Sequence, residues 1–448
     1  MNNIFISFFR WLKQVSKQIV SVFTSKERII ISALSIIALV SGGILIYQNY
    51  LKNTNVVAAY GGVYTEGVII QNKDELTDAV NRLTKIGLTR FDDAGNIVPD
   101  AAESWEISED VKNYIFTIKP QFSRDDIIKI LEKQKDKWPG IQISAEADNK
   151  IKFQFPDSYS PFLSSTTLPV LPYGPFTLKE DKDDNLTFVA NDSYYLGRPY
   201  LDKIVLKIYP SYDDLVKAYK AKDIDGAYSV NNASDFAKTN VYSFKLPRYD
   251  MLFFNTERDI FKTKEAREKI INGEKLDNEL KIILVALDTV KNRQYVDELA
   301  NKWQAQNIKA DVYYKDASEI INKIIPNRDY DVLVYGLNYG VDPDPYPFWH
   351  STQSGSAGLN LANFSNIDAD IALEEARKTI DEKTRQEKYQ AFWTIFNNEK
   401  PAIVISQDEW QFAVSDEIQN VKTGYSIGPE DRFLKVKDWY LKTKREKK

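Results

Sequence analysis

The chain has 448 residues, 43% hydrophobic and 27% charged, a balance that fits folded domains rather than disorder. It has no cysteine and one histidine, which excludes disulfides, thiolate nucleophiles, cysteine-ligated zinc and a lipid-modified N-terminal cysteine, and leaves any histidine chemistry to His350. A net charge of -5 gives no electrostatic footprint for nucleic acid.

Residues 1–28 carry a net charge of +4 and the remainder -9. Ile4, Phe8, Trp11, Val15, Ile19 and Val22 recur at helical spacing, with Lys13 and Lys17 elsewhere on the wheel. That pattern suits a basic amphipathic helix lying in the inner membrane interface, or one packed on a cytoplasmic partner. Residues 29–47, IIISALSIIALVSGGILIY, contain no charge and are long enough to cross a hydrocarbon core. Arg10, Lys13, Lys17, Lys26 and Arg28 precede this run against the single acid Glu27, which orients the helix with its N-terminus inside. A cleaved signal peptide would have a shorter basic region and a small-x-small site close behind, so an uncleaved, single-pass anchor is expected. Residues 48–60 show no strong period and read as a tether.

Beyond the tether the chain alternates helix-like and strand-like segments. Leu76, Val80, Leu83 and Gly87 share one helical face, and Ser123 with Asp126 resembles a helix N-cap. Residues 149–155 (NKIKFQF) alternate as a half-buried strand, and 186–190 and 203–209 (KIVLKIY) follow. A regular α/β rhythm then sets in. Strands are predicted at 281–287, 310–314, 331–336 and 401–406, and helices at 293–307, 317–325, 367–379 and 384–398. Apolar strand runs of this kind suit a parallel or mixed sheet covered on both faces.

The strand DVLVYG leads into YGLNYGVDPDPYPFWHS, residues 335–351. Ligands of open α/β sheets bind beyond the carboxyl ends of strands. Prolines stiffen this loop, and Tyr346, Phe348 and Trp349 offer flat apolar surface. Asp342 and Asp344 fit several roles: paired acids of a glycosidase, calcium ligands, solvated loop acids, or polar groups of a pocket wall. His350 without a visible partner reads as a structural hydrogen-bonder, and Trp105 and Trp393 as core.

Ordered blocks across residues 61–443 carry a family resemblance: GGVYTEG at 61–67, GLTRFDDAGNIVPDAAESWEISED at 87–110, YGPFTLKE at 173–180, NDSYYLGRPYLDKIVLKIYP at 191–210, DDLVKAYKAKDIDGA at 213–227, MLFFN at 251–255, then RDYDVLVYG, DPDPYPFWHS and KYQAFWTIFNNEKPAIVI. In this order they resemble the extracellular solute-binding proteins of family 5, the peptide-type receptors of ABC importers. The resemblance implies an α/β, two-lobed periplasmic-binding-protein type II fold with mixed sheets, here following one transmembrane helix. It implies lobe I at 61–254, lobe II at 255–405, and a return to lobe I with a basic tail at 406–448, hinged near Phe254, Asn255 and Ile405. It also implies binding of a peptide or other small solute between the lobes and delivery to a permease, with no catalysis and no cofactor. Glu66, Asn338, Tyr339 and Asp342 are the expected polar ligand contacts, with Phe348 and Trp349 as the apolar wall.

Several segments depart from the family pattern. VIIQNKDELTDAV stands where a proline-containing loop is usual, LPVLPYGPF is shortened, and FKTKEAREKIINGEKLDNELK compresses a long arm. Leu337 replaces a tryptophan, and Tyr339 or Gly340 falls where an aspartate holds a peptide amino terminus. These losses motivate a second reading, a surface scaffold or sensory ectodomain that keeps the fold without uptake. A secreted hydrolase lacks any nucleophile–base constellation.

Overall fold

The computed structural model describes residues 24–70, 72–135, 138, 140–342 and 344–448. The amphipathic segment expected at 4–22 lies outside them. The chain forms two units, one reaching Tyr60 and including Lys442–Lys448, the other Gly61–Leu441.

In the first unit a single helix, Ser25–Lys52, covers the uncharged run. Thr24 and Glu27 close its first turn reciprocally as a capping box. The helix is long and apolar enough to cross a membrane, and its apolar stretch is unburied. The chain then turns into β1 (Thr54–Ala59), which pairs antiparallel with β18 (Lys442–Lys447). This corrects two expectations. In the segment read as a tether, residues 48–52 continue the helix and Thr54–Ala59 is a strand paired with Lys442–Lys447 of the segment read as a basic tail. The β-branched Val56 and Val57 favour extended backbone, and β18 is exposed along its length, ordered by its backbone pairing together with the Arg445 side chain, which donates to the Thr54 hydroxyl.

The second unit is built on a ten-stranded mixed sheet. Its strands are β2 (Val63–Ile69), β9 (Phe176–Lys182), β10 (Asn185–Ala190), β11 (Lys203–Tyr209), β12 (Gly226–Ala227), β13 (Thr239–Phe254), β14 (Leu280–Leu287), β15 (Ile308–Lys315), β16 (Val332–Asn338) and β17 (Ala402–Ser415), in the order β15-β14-β16-β13-β17-β12-β2-β11-β10-β9. β11, β2 and β12 run parallel, as do β15, β14 and β16. A hairpin of β3 (Thr89–Phe91) and β4 (Ile97–Pro99), and a four-stranded sheet of β5 (Ala102–Ile107), β6 (Asn113–Ile118), β8 (Lys150–Gln154) and β7 (Gln142–Glu146), complete the strands.

The long strands β13 and β17 belong to both lobes. Apolar cores drawn from Tyr249–Ile405 lie at one end, around Phe253, Trp349 and Phe392 and around Phe254, Leu284 and Val332. Cores drawn from Tyr64–Phe244 and Trp410–Leu441 lie at the other. The cores therefore divide between Phe244 and Tyr249 and between Ile405 and Trp410. There the β13–β17 ladder is interrupted, from Lys245 to Tyr249. Pro247 sits in this gap and has no N–H to give a ladder. The expected crossing at Phe254 and Asn255 is thus displaced. Phe254 packs on Phe261, and the Asn255 amide donates to the Tyr330 carbonyl at 3.0 Å, both deep in one lobe. Ile405 borders the division.

Candidate ligand cleft

A cavity of about 420 Å³ opens between the lobes, within the range of small-molecule sites. One wall is the β3–β4 hairpin with its loop, Phe91 and Ala94–Ile97, joined by Trp105, Tyr114, Leu163, Ser164 and Tyr425. The opposite wall comes from Val341, Asp342, Ile380, Glu382, Arg385 and Gln386.

Local chemistry shapes both walls. The Asp92 carboxylate accepts the N–H groups of Ala94 and Asn96 at 2.9 and 2.8 Å, and Gly95 takes a positive φ of 87°, which closes the hairpin loop. At Gly87 a Cβ would lie 2.5 Å from the carbonyl oxygens of Thr166 and Thr89, so only glycine lets these backbones meet. Opposite, Asp381 caps the helix Glu382–Glu399 by accepting from the Thr384 N–H. Glu382, Arg385 and Gln386 thus project from that helix's first turns.

Asp342 is 9% exposed. Its Oδ2 accepts from the Ser164 hydroxyl at 2.8 Å, a bond that crosses between lobes, and lies 3.4 Å from Arg385 Nη1. Burial raises its carboxyl pKa, against the opposing pull of Arg385 and of the Ser164 hydrogen bond. Asp342 Oδ1 and Arg385 Nε, both buried, have no hydrogen-bond partner among the described residues. A second contact between lobes lies beside this site. Ser160 donates through its N–H to the Arg377 carbonyl at 3.0 Å and through its hydroxyl to the Ala376 carbonyl at 3.3 Å, which satisfies the end of the helix Ile367–Arg377.

Of the expected contacts, Asp342 alone lines this cavity. Glu66 is fully buried in an ion pair with Arg432 at 2.8 Å. Burial raises its pKa and the guanidinium opposes that rise, so it is a core group and not a ligand contact. Trp349 is likewise enclosed. It stacks near Phe253 at 5.8 Å, meets Phe396 at 4.6 Å and donates its Nε1–H to the Tyr339 hydroxyl at 2.9 Å. Phe348 and Tyr339 pack together at 5.0 Å against the same core. Asn338 is exposed and accepts from the Gly340 N–H at 2.9 Å. Asp344 is not a solvated acid: Arg377 grips it at 2.8 and 2.6 Å. His350 is structural, its Nδ1 2.9 Å from the Thr352 hydroxyl.

The sequence reading missed Tyr114, Ser164, Glu382, Arg385 and Tyr425, and placed Trp105 in the core. The half-buried Trp105 packs against that core beside Phe116, 6.3 Å away, and also lines the cavity. Arg385 carried a readable signal, since it falls in the first turns of a strongly predicted helix. Tyr425 had none, because only tertiary folding brings it against Phe91, 4.7 Å away.

Residues 96–272 match the model of the bacterial extracellular solute-binding proteins, family 5 Middle. Over those residues the chain is similar to the family-5 solute-binding proteins. It is 22% identical to the oligopeptide-binding protein AppA of Bacillus subtilis, over 60% of this chain and 61% of that protein, less than two thirds of its length. The solved structure of HbpA2 from Haemophilus parasuis superposes with a TM-score of 0.72 at 16% identity, covering 81% of this chain and 97% of the other. That of Bacillus subtilis AppA in complex with a nonapeptide gives 0.63 at 18% identity, covering 86% and 100%. These likenesses place the chain in the two-lobed, mixed α/β binding-protein fold. The curated relatives it matches are named as binding proteins.

Proposed function

We propose that this chain is a membrane-anchored extracytoplasmic receptor of the family-5 type that closes on a small peptide or similar zwitterionic solute and hands it to the permease of an ABC importer. The observation that carries the reading is the pair Asp342 and Arg385. Both line one cavity between lobes, and each keeps a buried polar atom without a partner among the described residues. A buried donor or acceptor left unmade is costly, so a ligand that supplies both an ammonium and a carboxylate gains on each side. Trp105, Tyr114 and Tyr425 offer ring surface for what lies between. The divided cores support a hinge at Lys245–Tyr249 and Ser406–Glu409. The helix Ser25–Lys52 supports anchoring, with tethering raising the receptor's concentration near a permease. No catalytic step and no cofactor is part of this reading.

Full-length protein purified in detergent tests it. Mass spectrometry of copurifying solutes should identify a zwitterion. Arg385→Ala should weaken its binding by about 30-fold or more, roughly 2 kcal/mol, while the fold persists. Wild-type affinity in both Arg385→Ala and Asp342→Asn would place the ligand elsewhere.

A further inference from the structure

The antiparallel register of β1 and β18 grades the basic end of the chain by position. Lys447 lies opposite Thr54, beside the end of the apolar helix, whereas Lys442 lies opposite Ala59. Five residues of strand separate them, about 17 Å along the ribbon. Three contacts fix the proximal end. The Lys448 N–H donates to the Asn53 carbonyl at 3.0 Å, Arg445 Nη1 donates to the Thr54 hydroxyl at 3.1 Å, and that hydroxyl donates to the Tyr50 carbonyl in the last helical turn at 2.7 Å. The Arg445 guanidinium also lies 6.0 Å from the Tyr50 ring centre. Lys52, Arg445, Lys447 and Lys448 are thereby gathered at one end of the helix. The local acid Glu446 pairs with Lys444 at 2.7 Å.

We propose that this cluster is a docking surface for anionic lipid headgroups. The inference rests on the anchoring reading above. If the uncharged run fills the hydrocarbon core, Lys52 and the strand end pinned to it fall at headgroup depth. Each Lys or Arg near an anionic surface is attracted within a Debye length of about 8 Å. Lys442, about two such lengths farther along the ribbon, serves as an internal control.

The test reconstitutes the full-length chain into nanodiscs of phosphatidylcholine alone or mixed with phosphatidylglycerol. Amine-reactive labelling is then quantified at each lysine. Lys447 and Lys448 should label about fivefold more slowly in the anionic discs than in the neutral ones, with Lys442 unchanged, and high salt should abolish the difference. Arg445→Gln, which unpins the strand, should reduce the protection. Uniform labelling in both lipids, or protection indifferent to lipid charge and salt, would overturn the docking surface alone. A chain that does not enter the discs would overturn the anchor and this inference with it.

Discussion

Two buried aspartates of this protein differ in what surrounds them, and the difference decides what each can do. Asp342 sits on a cavity wall with an arginine and a hydroxyl beside it and one oxygen without a partner among the described residues. Asp100 lies in the body of a lobe, 4% exposed, and accepts from the Tyr195 hydroxyl. Burial pushes its carboxyl from 3.8 up to about 7, and Arg90 and Lys119 only partly oppose the rise. A raised folded pKa means that the folded chain holds the proton when the unfolded chain has lost it. Stability from this group is therefore fully present below 3.8 and is lost as pH rises to about 7. Asp100→Asn lacks that loss. Its Tm relative to wild type should climb across this window and level off above it, as thermal melts at stepped pH would show. A constant difference would mean that Asp100 ionises freely in the fold. None of this was readable from spacing, since a carboxylate's neighbours in space are not its neighbours in sequence. Glu66 shows the same limit: its strand was recognisable, but its partner Arg432 lies 366 residues away.

Elements were more legible than residues. The strand KIVLKIY at 203–209 matches β11 at both ends, and the predicted helix at 384–398 became Glu382–Glu399. Both follow from hydrophobic period and capping, which are local. The segment 317–325 was less regular than expected, because a π-turn at Ile320–Ile324 interrupts the helix. The loop after β16 misled in a physical way. Its aromatic residues suggested a wall, yet the short helix Tyr346–Trp349 turns Trp349 inward, between Phe253 of β13 and Phe396 of the last long helix. The aromatic surface of the cleft comes instead from the first lobe. The consequence is a contrast of two substitutions. Trp349→Ala should destabilise the protein by about 3–5 kcal/mol in urea unfolding, through a cavity in the core. Trp105→Ala should leave the unfolding midpoint nearly unchanged and weaken solute binding. Reversal of the two effects would return Trp349 to the cleft.

At the scale of the molecule, the ten-stranded sheet is shared by two lobes, with β13 and β17 as the strands in common. Each lobe carries its own cores, and the shared ladder is broken where the cores divide. Packed cores resist deformation, so the proposed closure would concentrate its motion at the interruption. Closure follows only if the solute binds the closed arrangement better than the open one. The ordered sequence blocks conveyed this architecture. They did not convey where the cores divide, which coincides with the interruption of the β13–β17 ladder around Pro247.

The central claim is that the lobes close on a solute held by Asp342 and Arg385, and a distance between lobes tests it most directly. The chain has no cysteine, so two can be introduced for spin labels without background. Exposed Glu109 and Lys383 lie one on each lobe. Electron–electron distance measurements on Glu109→Cys/Lys383→Cys should give a broad distribution in the solute-free protein. The copurified solute should shift it to a shorter, narrower one, and Arg385→Ala should abolish the shift. A distribution that the solute leaves unchanged, or one that shifts equally in the Arg385→Ala background, would contradict the account.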